Sequence, residues 1–163
     1  MALTEFLREK VPGFEACKLN STAAHIGIRE TRRITGEYVL TEADVLEGRR
    51  FEDSVACGSY TIDIHNPTGK GIRLKAVSKE AGYYGIPYGC LVPKEVENLL
   101  VSGRCVSATH EALGSVRVMA ICFATGEAAG TAAALSVKNG ETPRELDVAL
   151  LREILSRQGA IID

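Results

Sequence analysis

NLLVSGRCVSATHEALGSVRVMAICFATGEAAGTAAAL, residues 98–135, is the stretch that decides how this chain is read. Leu99, Leu100 and Val101 form a short apolar run that reads as a strand, and Ser102-Gly103-Arg104 follows as a turn. After a polar loop with Ser107, Thr109 and His110, Gly114-Ser115 opens a long helical pattern. Ser115 suits an N-cap, because its hydroxyl can accept from the unpaired N–H groups of a first helical turn. Those N–H groups, with the helix dipole, favour an anion or an electron-rich group at that end. Inside the helix Cys122, Gly126, Gly130 and Ala134 recur every four residues as one small-residue stripe. Each interior glycine costs about 1 kcal/mol relative to alanine. The spacing therefore predicts close packing against another backbone or a flat ligand, and Gly126→Leu is expected to overpack that contact.

Working outward, residues 4–10 read as a short helix that Pro12-Gly13 ends. Residues 14–28 read as extended, with a turn at Asn20-Ser21-Thr22, and residues 33–38 as a strand interrupted at Gly36. Thr41 can cap a short helix whose first turn carries Glu42 and Asp44 and which stops by Gly48. Residues 61–65 alternate polar and apolar, as a half-buried strand does. Residues 72–77 and 83–88 read as further strands, with Tyr83, Tyr84 and Tyr88 as sheet packing. Val148, Leu151 and Leu155 recur at helical spacing in a last amphipathic helix, residues 147–157. Strands come first, then a strand–helix unit, then a C-terminal helix. The predicted fold class is α+β, or mixed α/β, with residues 1–97 as the strand-rich portion and residues 98–163 as the strand–helix portion of one compact unit.

The 163 residues suffice for one ordinary core, and 45% hydrophobic with 25% charged content is normal for a globular domain. A net charge of −2 argues against a nucleic-acid binder, which is usually basic. No apolar segment resembles a signal peptide. The longest apolar run, near residues 118–125, is bounded by Arg117 and Glu127 and is too short to span a bilayer. A cytoplasmic location without membrane partners is the expectation. The five cysteines have no C-x-x-C pair and the three histidines no ligand spacing, so no metal site is expected.

Several separated motifs carry a resemblance: ETRRITGEYVLTEADV at residues 30–45, YTIDIHNPTGKG at 60–71, YYGIPYGCLVP at 83–93, the opening stretch, and QGA at 158–160. In that order they resemble bacterial FAD-dependent oxidoreductases of the glutathione-reductase-like flavoprotein superfamily. The resemblance implies a substrate-side sheet followed by the flavin-closing strand–helix unit, with residues 99–101 returning to the sheet of the flavin domain. The N-terminal Rossmann βαβ unit with G-x-G-x-x-G, which holds the FAD pyrophosphate in that superfamily, has no counterpart here. Gly69-Lys70-Gly71 lacks the third glycine and follows Asn66-Pro67-Thr68, so it reads as a turn between strands. The chain thus resembles the C-terminal part of such a flavoprotein. It is expected not to retain FAD alone, to need an N-terminal FAD-binding portion as partner, and to associate as a homo-oligomer through surfaces left uncovered.

By the same resemblance, Gly114, Ser115, Val116 and Arg117 would meet the isoalloxazine, the helix N-terminus stabilising charge on its N1–C2=O side. Gly103 would let the backbone pass close to the cofactor, with Arg104 where the wider superfamily commonly has an acid. A capped helix without a ligand is the plain alternative. His65, at a strand end beside Asp63, and His110, in the loop before the helix, suit proton transfer; each can equally be a backbone-bonded anchor. Arg29, Arg32 and Arg33 can hold a carboxylate substrate, with Arg29 and Arg33 the chosen candidates, or form a solvated, salt-bridged face. Two functions follow: the C-terminal portion of an FAD-dependent oxidoreductase, or a non-catalytic truncated relative acting as a binding or oligomerisation module.

Overall fold

The computed structural model describes residues 2–65 and 71–163. Its elements are α1 (Ala2–Lys10), α2 (Glu42–Glu47), β1 (Ser54–Gly58), β2 (Ile62–His65), β3 (Ile72–Lys75), β4 (Tyr84–Pro87), α3 (His110–Val116), α4 (Met119–Asn139) and α5 (Val148–Arg157). Short 3-10 turns occupy Tyr88–Cys90 and Gly103–Cys105. The strands form two antiparallel pairs, β1 with β4 and β2 with β3. A single parallel bridge joins Leu40 to Ala108. The mixture of helices and small antiparallel sheets is compatible with the expected α+β class. The expected turn at residues 66–70 lies outside the described residues.

Local chemistry explains the elements that sequence placed correctly. Thr41 caps α2 in a capping box: its hydroxyl accepts from the Asp44 N–H, and the Asp44 carboxylate accepts from the Thr41 N–H at 2.9 Å. Gly48 ends α2 in the left-handed region at φ 67°. Asp44 is buried, and burial alone would raise its carboxyl pKa. Hydrogen bonds from Thr41, Tyr38 and Arg49 outweigh that and hold it below its ordinary range. Asp147 caps α5 by accepting from the Ala149 and Leu150 N–H groups. Leu151 and Leu155 of α5 are fully buried, worth roughly 1.5–3 kcal/mol each relative to exposure.

The centre of the molecule is one hydrophobic core whose members run from Leu40 to Ile162. Strand β4 is buried throughout and α4 packs on β1 and α5. Tyr84 crosses this core and donates from its hydroxyl to Ser115 Oγ at 2.6 Å, which in turn donates to the Tyr60 carbonyl. Burial raises the Tyr84 phenol well above its usual range. Tyr88 donates to the Pro143 carbonyl at 2.8 Å, whereas the Tyr83 ring leaves the core and carries the Arg50 guanidinium 3.1 Å above its centroid. Helix α1 contributes no buried residue.

Four expectations are corrected. Residues 99–101 are no ladder strand; Val101 makes one bond to the Leu91 carbonyl, and Leu99 is exposed. Nor do residues 33–38 form a strand, beyond an isolated Gly36–Pro93 bridge. Strand β1, by contrast, was not anticipated: its five residues are nearly all buried, so no alternation marks them. The long helix does not begin at Ser115. Thr109 caps an earlier helix, α3, by accepting from the Ala112 N–H, and Ser115 lies buried inside it. The chain breaks at Arg117-Val118 before α4 starts. Gly114 permits the close seat of α3 on β2, since a Cβ there would lie 3.1 Å from Ile64 Cγ1 and 3.2 Å from the Asp63 carbonyl oxygen.

The fourth correction concerns α4. Its core face is Ile121, Thr125, Ala128, Ala132 and Leu135, on the side of the helix away from the stripe of small residues. A Cβ on Gly126 would meet only Ser102 Oγ at 4.0 Å, and one on Gly130 would meet nothing within 4 Å. The close contact expected at Gly126 is thus only an ordinary van der Waals approach to Ser102. At 21 residues α4 is also long and apolar enough, by length and composition, to cross a membrane. The apolar run expected to stop at Glu127 thus continues past it within the same helix. Its inner face is buried in protein core.

Candidate functional site

Residues 27–31 run as a strap over β2 and the junction between α3 and α4, and two clefts open beneath it. The first, about 480 Å³, lies between Arg29, Arg104 and Arg117 and is walled by Tyr60, Asp63, Gly114, Val118 and Met119. The second, about 650 Å³, is lined by Arg29, Glu30, Thr31, Ile64, His65, His110 and Arg117. Arg29 and Arg117 belong to both, so the clefts are neighbours.

Charge holds the strap down. Arg104 donates to the Ile28 carbonyl. The Glu30 carboxylate, about one-fifth exposed, takes His110 Nδ1 at 2.8 Å, Arg117 at 3.5 Å and an ion pair with Arg33 three residues on. Arg117 donates as well to the Asp63 carbonyl at 2.6 Å, tying the strap to β2. Arg29 is exposed and, among the described residues, has no ion-pair partner. On the opposite wall Asp63 and His65 share one face of β2, with Asp63 Oδ1 3.5 Å from His65 Nε2. That oxygen is buried and has no hydrogen bond among the described residues.

The sequence-derived candidates divide as follows. His65, His110, Arg29, Arg104, Gly114 and Arg117 come together around the clefts. Arg33 is spent on Glu30. Ser115 and Val116 are buried in the core. Gly103, at φ 65°, donates its N–H to Thr125 Oγ1 at 3.1 Å and so anchors its turn on α4. The helix N-terminus that faces the first cleft is that of α4, at Val118-Met119, not the 114–117 turn. Val118 provides no side-chain cap there, which leaves the first-turn N–H groups of a long helix at the cleft mouth. Sequence reasoning passed over Glu30, Asp63 and Tyr60. Only the Asp63-x-His65 spacing, two residues apart on a strand, gave a signal for any of them.

A further cavity of about 540 Å³ flanks the first cleft, sharing Tyr60 and Val118 with it, and is mostly apolar, with Val55, Cys57, Ile121 and Ile161 in its wall. Burial raises the Cys57 thiol, and likewise Cys122, which keeps them protonated and poorly nucleophilic. All five cysteines are free. No group of three metal-ligating side chains occurs among the described residues. The arrangement is thus a guanidinium-rich groove at an open helix N-terminus, suited to an anionic or electron-rich planar group, with imidazoles for proton transfer beside it.

Comparison with known families matches the FAD dependent oxidoreductase family over residues 1–155. No curated protein and no solved structure matches the chain.

Proposed function

The chain belongs to the FAD-dependent oxidoreductase family, and we propose that it contributes the flavin-ring and substrate walls of such an enzyme, in the manner of the glutathione-reductase-like flavoproteins it resembles. The observation that carries this reading is the convergence of Arg29, Arg104 and Arg117 on the cleft at the open end of α4, with His65 and His110 lining the adjoining cleft. The residues present fit the ring end of FAD. The α4 N–H groups and Arg104 would face its electron-rich edge, and the apolar cavity behind Tyr60 and Val118 suits an aromatic surface. Bound there, FAD supplies the hydride chemistry. Arg29 would hold a substrate carboxylate, and His65 or His110 would move a proton.

The pyrophosphate end finds no cradle among the described residues, where no strand, glycine-rich turn and helix follow one another. On this reading that end is held by an FAD-binding portion outside the chain, and the chain alone does not retain FAD. Titration of the purified chain with riboflavin and with FAD, followed by flavin fluorescence, tests both halves. Weak binding of the two flavins with closely similar affinity is expected. FAD that stays bound through gel filtration would overturn the missing-cradle half, and quenching of neither flavin would overturn the ring-end half.

One observation favours a second reading, a non-catalytic module that works by association. The outer face of α4 leaves Met119, Phe123 and Val137 largely exposed, and open apolar faces of this kind promote docking. Self-association is proposed under either reading, with light scattering as its test: a monomer at high concentration would sink it. The free cysteines accord with the cytoplasm as the proposed compartment.

A further inference from the structure

Both imidazoles at the second cleft have a carboxylate neighbour, but on different nitrogens. Glu30 Oε1 stands 2.8 Å from His110 Nδ1, a hydrogen-bonding distance, whereas Asp63 Oδ1 stands 3.5 Å from His65 Nε2. A carboxylate accepts and cannot donate when ionised, so its contact nitrogen must carry the proton. The proton on one imidazole nitrogen decides that the other offers a lone pair.

We propose that Glu30 is a positioning residue that holds neutral His110 in the Nδ1–H tautomer, with Nε2 turned out as the proton acceptor of the cleft. Glu30 suits this role because it does not move freely: Arg117, itself bonded to the Asp63 carbonyl, holds the same carboxylate. His110 opens α3 directly after its Thr109 cap, so its backbone is fixed as well. Its side chain is about half exposed, which leaves Nε2 reachable from the cleft. The step is a simple proton transfer. A substrate X–H bond breaks, an Nε2–H bond forms, and the bonding pair stays with the substrate. The resulting imidazolium faces Glu30, which balances its charge, while Arg29, Arg33 and Arg117 surround the pair. The proposal rests on the oxidoreductase reading of the groove for its purpose, but not for its geometry.

The test needs no cofactor and reads neither flavin binding nor activity, so its failure is separable from failure of the riboflavin titration. The chain is labelled with ¹⁵N-histidine and two-bond ¹H–¹⁵N spectra are recorded at about pH 8, above the usual imidazole range. In the parent, His110 should show a pyridine-type Nε2 and a pyrrole-type Nδ1. Glu30→Ala should return His110 to the usual Nε2–H form. Arg33→Ala, which removes another partner of the same carboxylate, should leave His110 unchanged. Glu30 lies outside the hydrophobic core, so an unchanged amide fingerprint is expected for both variants. A parent His110 in the Nε2–H form overturns the proposal. So does an Nδ1–H tautomer that survives Glu30→Ala, or one that Arg33→Ala also abolishes.

Discussion

The two faces of α4 differ more than any two elements of the molecule. On the inner face Ala128 and Ala132 are fully buried, and Thr125 and Ile121 nearly so. On the outer face Met119 and Phe123 are each 74% exposed and Val137 is 85% exposed. Both faces are apolar and rich in small residues, so composition does not separate them. What separates them is whether anything lies opposite. The inner face meets β1 and α5; the outer face meets nothing across Gly130. Small residues on the first face are a packing requirement. Within this chain, Gly130 on the second serves no contact.

Substitutions that treat the two faces alike should therefore give opposite signs. Ala128→Leu, into the filled core, should cost about 1–3 kcal/mol, read as a lowered urea midpoint at unchanged slope. Thr125→Val should cost roughly 1–2 kcal/mol, because the Gly103 N–H loses the hydroxyl that accepts it. Gly130→Ala should instead stabilise the chain by up to about 1 kcal/mol through helix propensity alone. A thermal melt in which Gly130→Ala falls below the parent would mean that the outer face is packed in solution. The smallest stability effect is expected for Phe123→Ser, within about 0.5 kcal/mol. Its consequence should appear in light scattering as weaker self-association, and unchanged association would remove α4 from the interface.

The reversal at Gly126 shows why sequence periodicity misled. A stripe of small residues at four-residue spacing does imply that a close contact is permitted. It does not say which body makes the contact. The core face of α4 is set by Ile121, Thr125, Ala128, Ala132 and Leu135 at alternating four- and three-residue steps, and it competes with the glycine stripe only weakly, because alanine and glycine carry little hydrophobic signal. The helix break at Arg117-Val118 was hidden for a related reason. Ser115 is a good N-cap by type, yet the tertiary neighbours Tyr84 and Tyr60 take up its hydroxyl and draw it into the interior of α3.

The site was legible in part. His65, His110, Arg29, Arg104 and Arg117 were visible as residue types able to hold an anion or move a proton, and the structure gathers them around two adjoining clefts. Glu30 was not, although it pins the strap, because an acid between arginines reads in sequence as an ordinary charge run. Its partners His110 and Arg117 are 80 and 87 residues away in sequence.

By itself, the sequence determined the features whose physics is local: the Thr41 capping box, the Gly48 stop, the Asp147 cap and the amphipathic α5, each settled by groups within a few residues of one another. Its separated motifs also carried the family. Only the tertiary structure decided which face of α4 is core, where the helix N-terminus meets the cleft, and which nitrogen of His110 meets a carboxylate. Those outcomes depend on long-range contacts among side chains of nearly equal local preference, and such contacts exist only once the chain has folded.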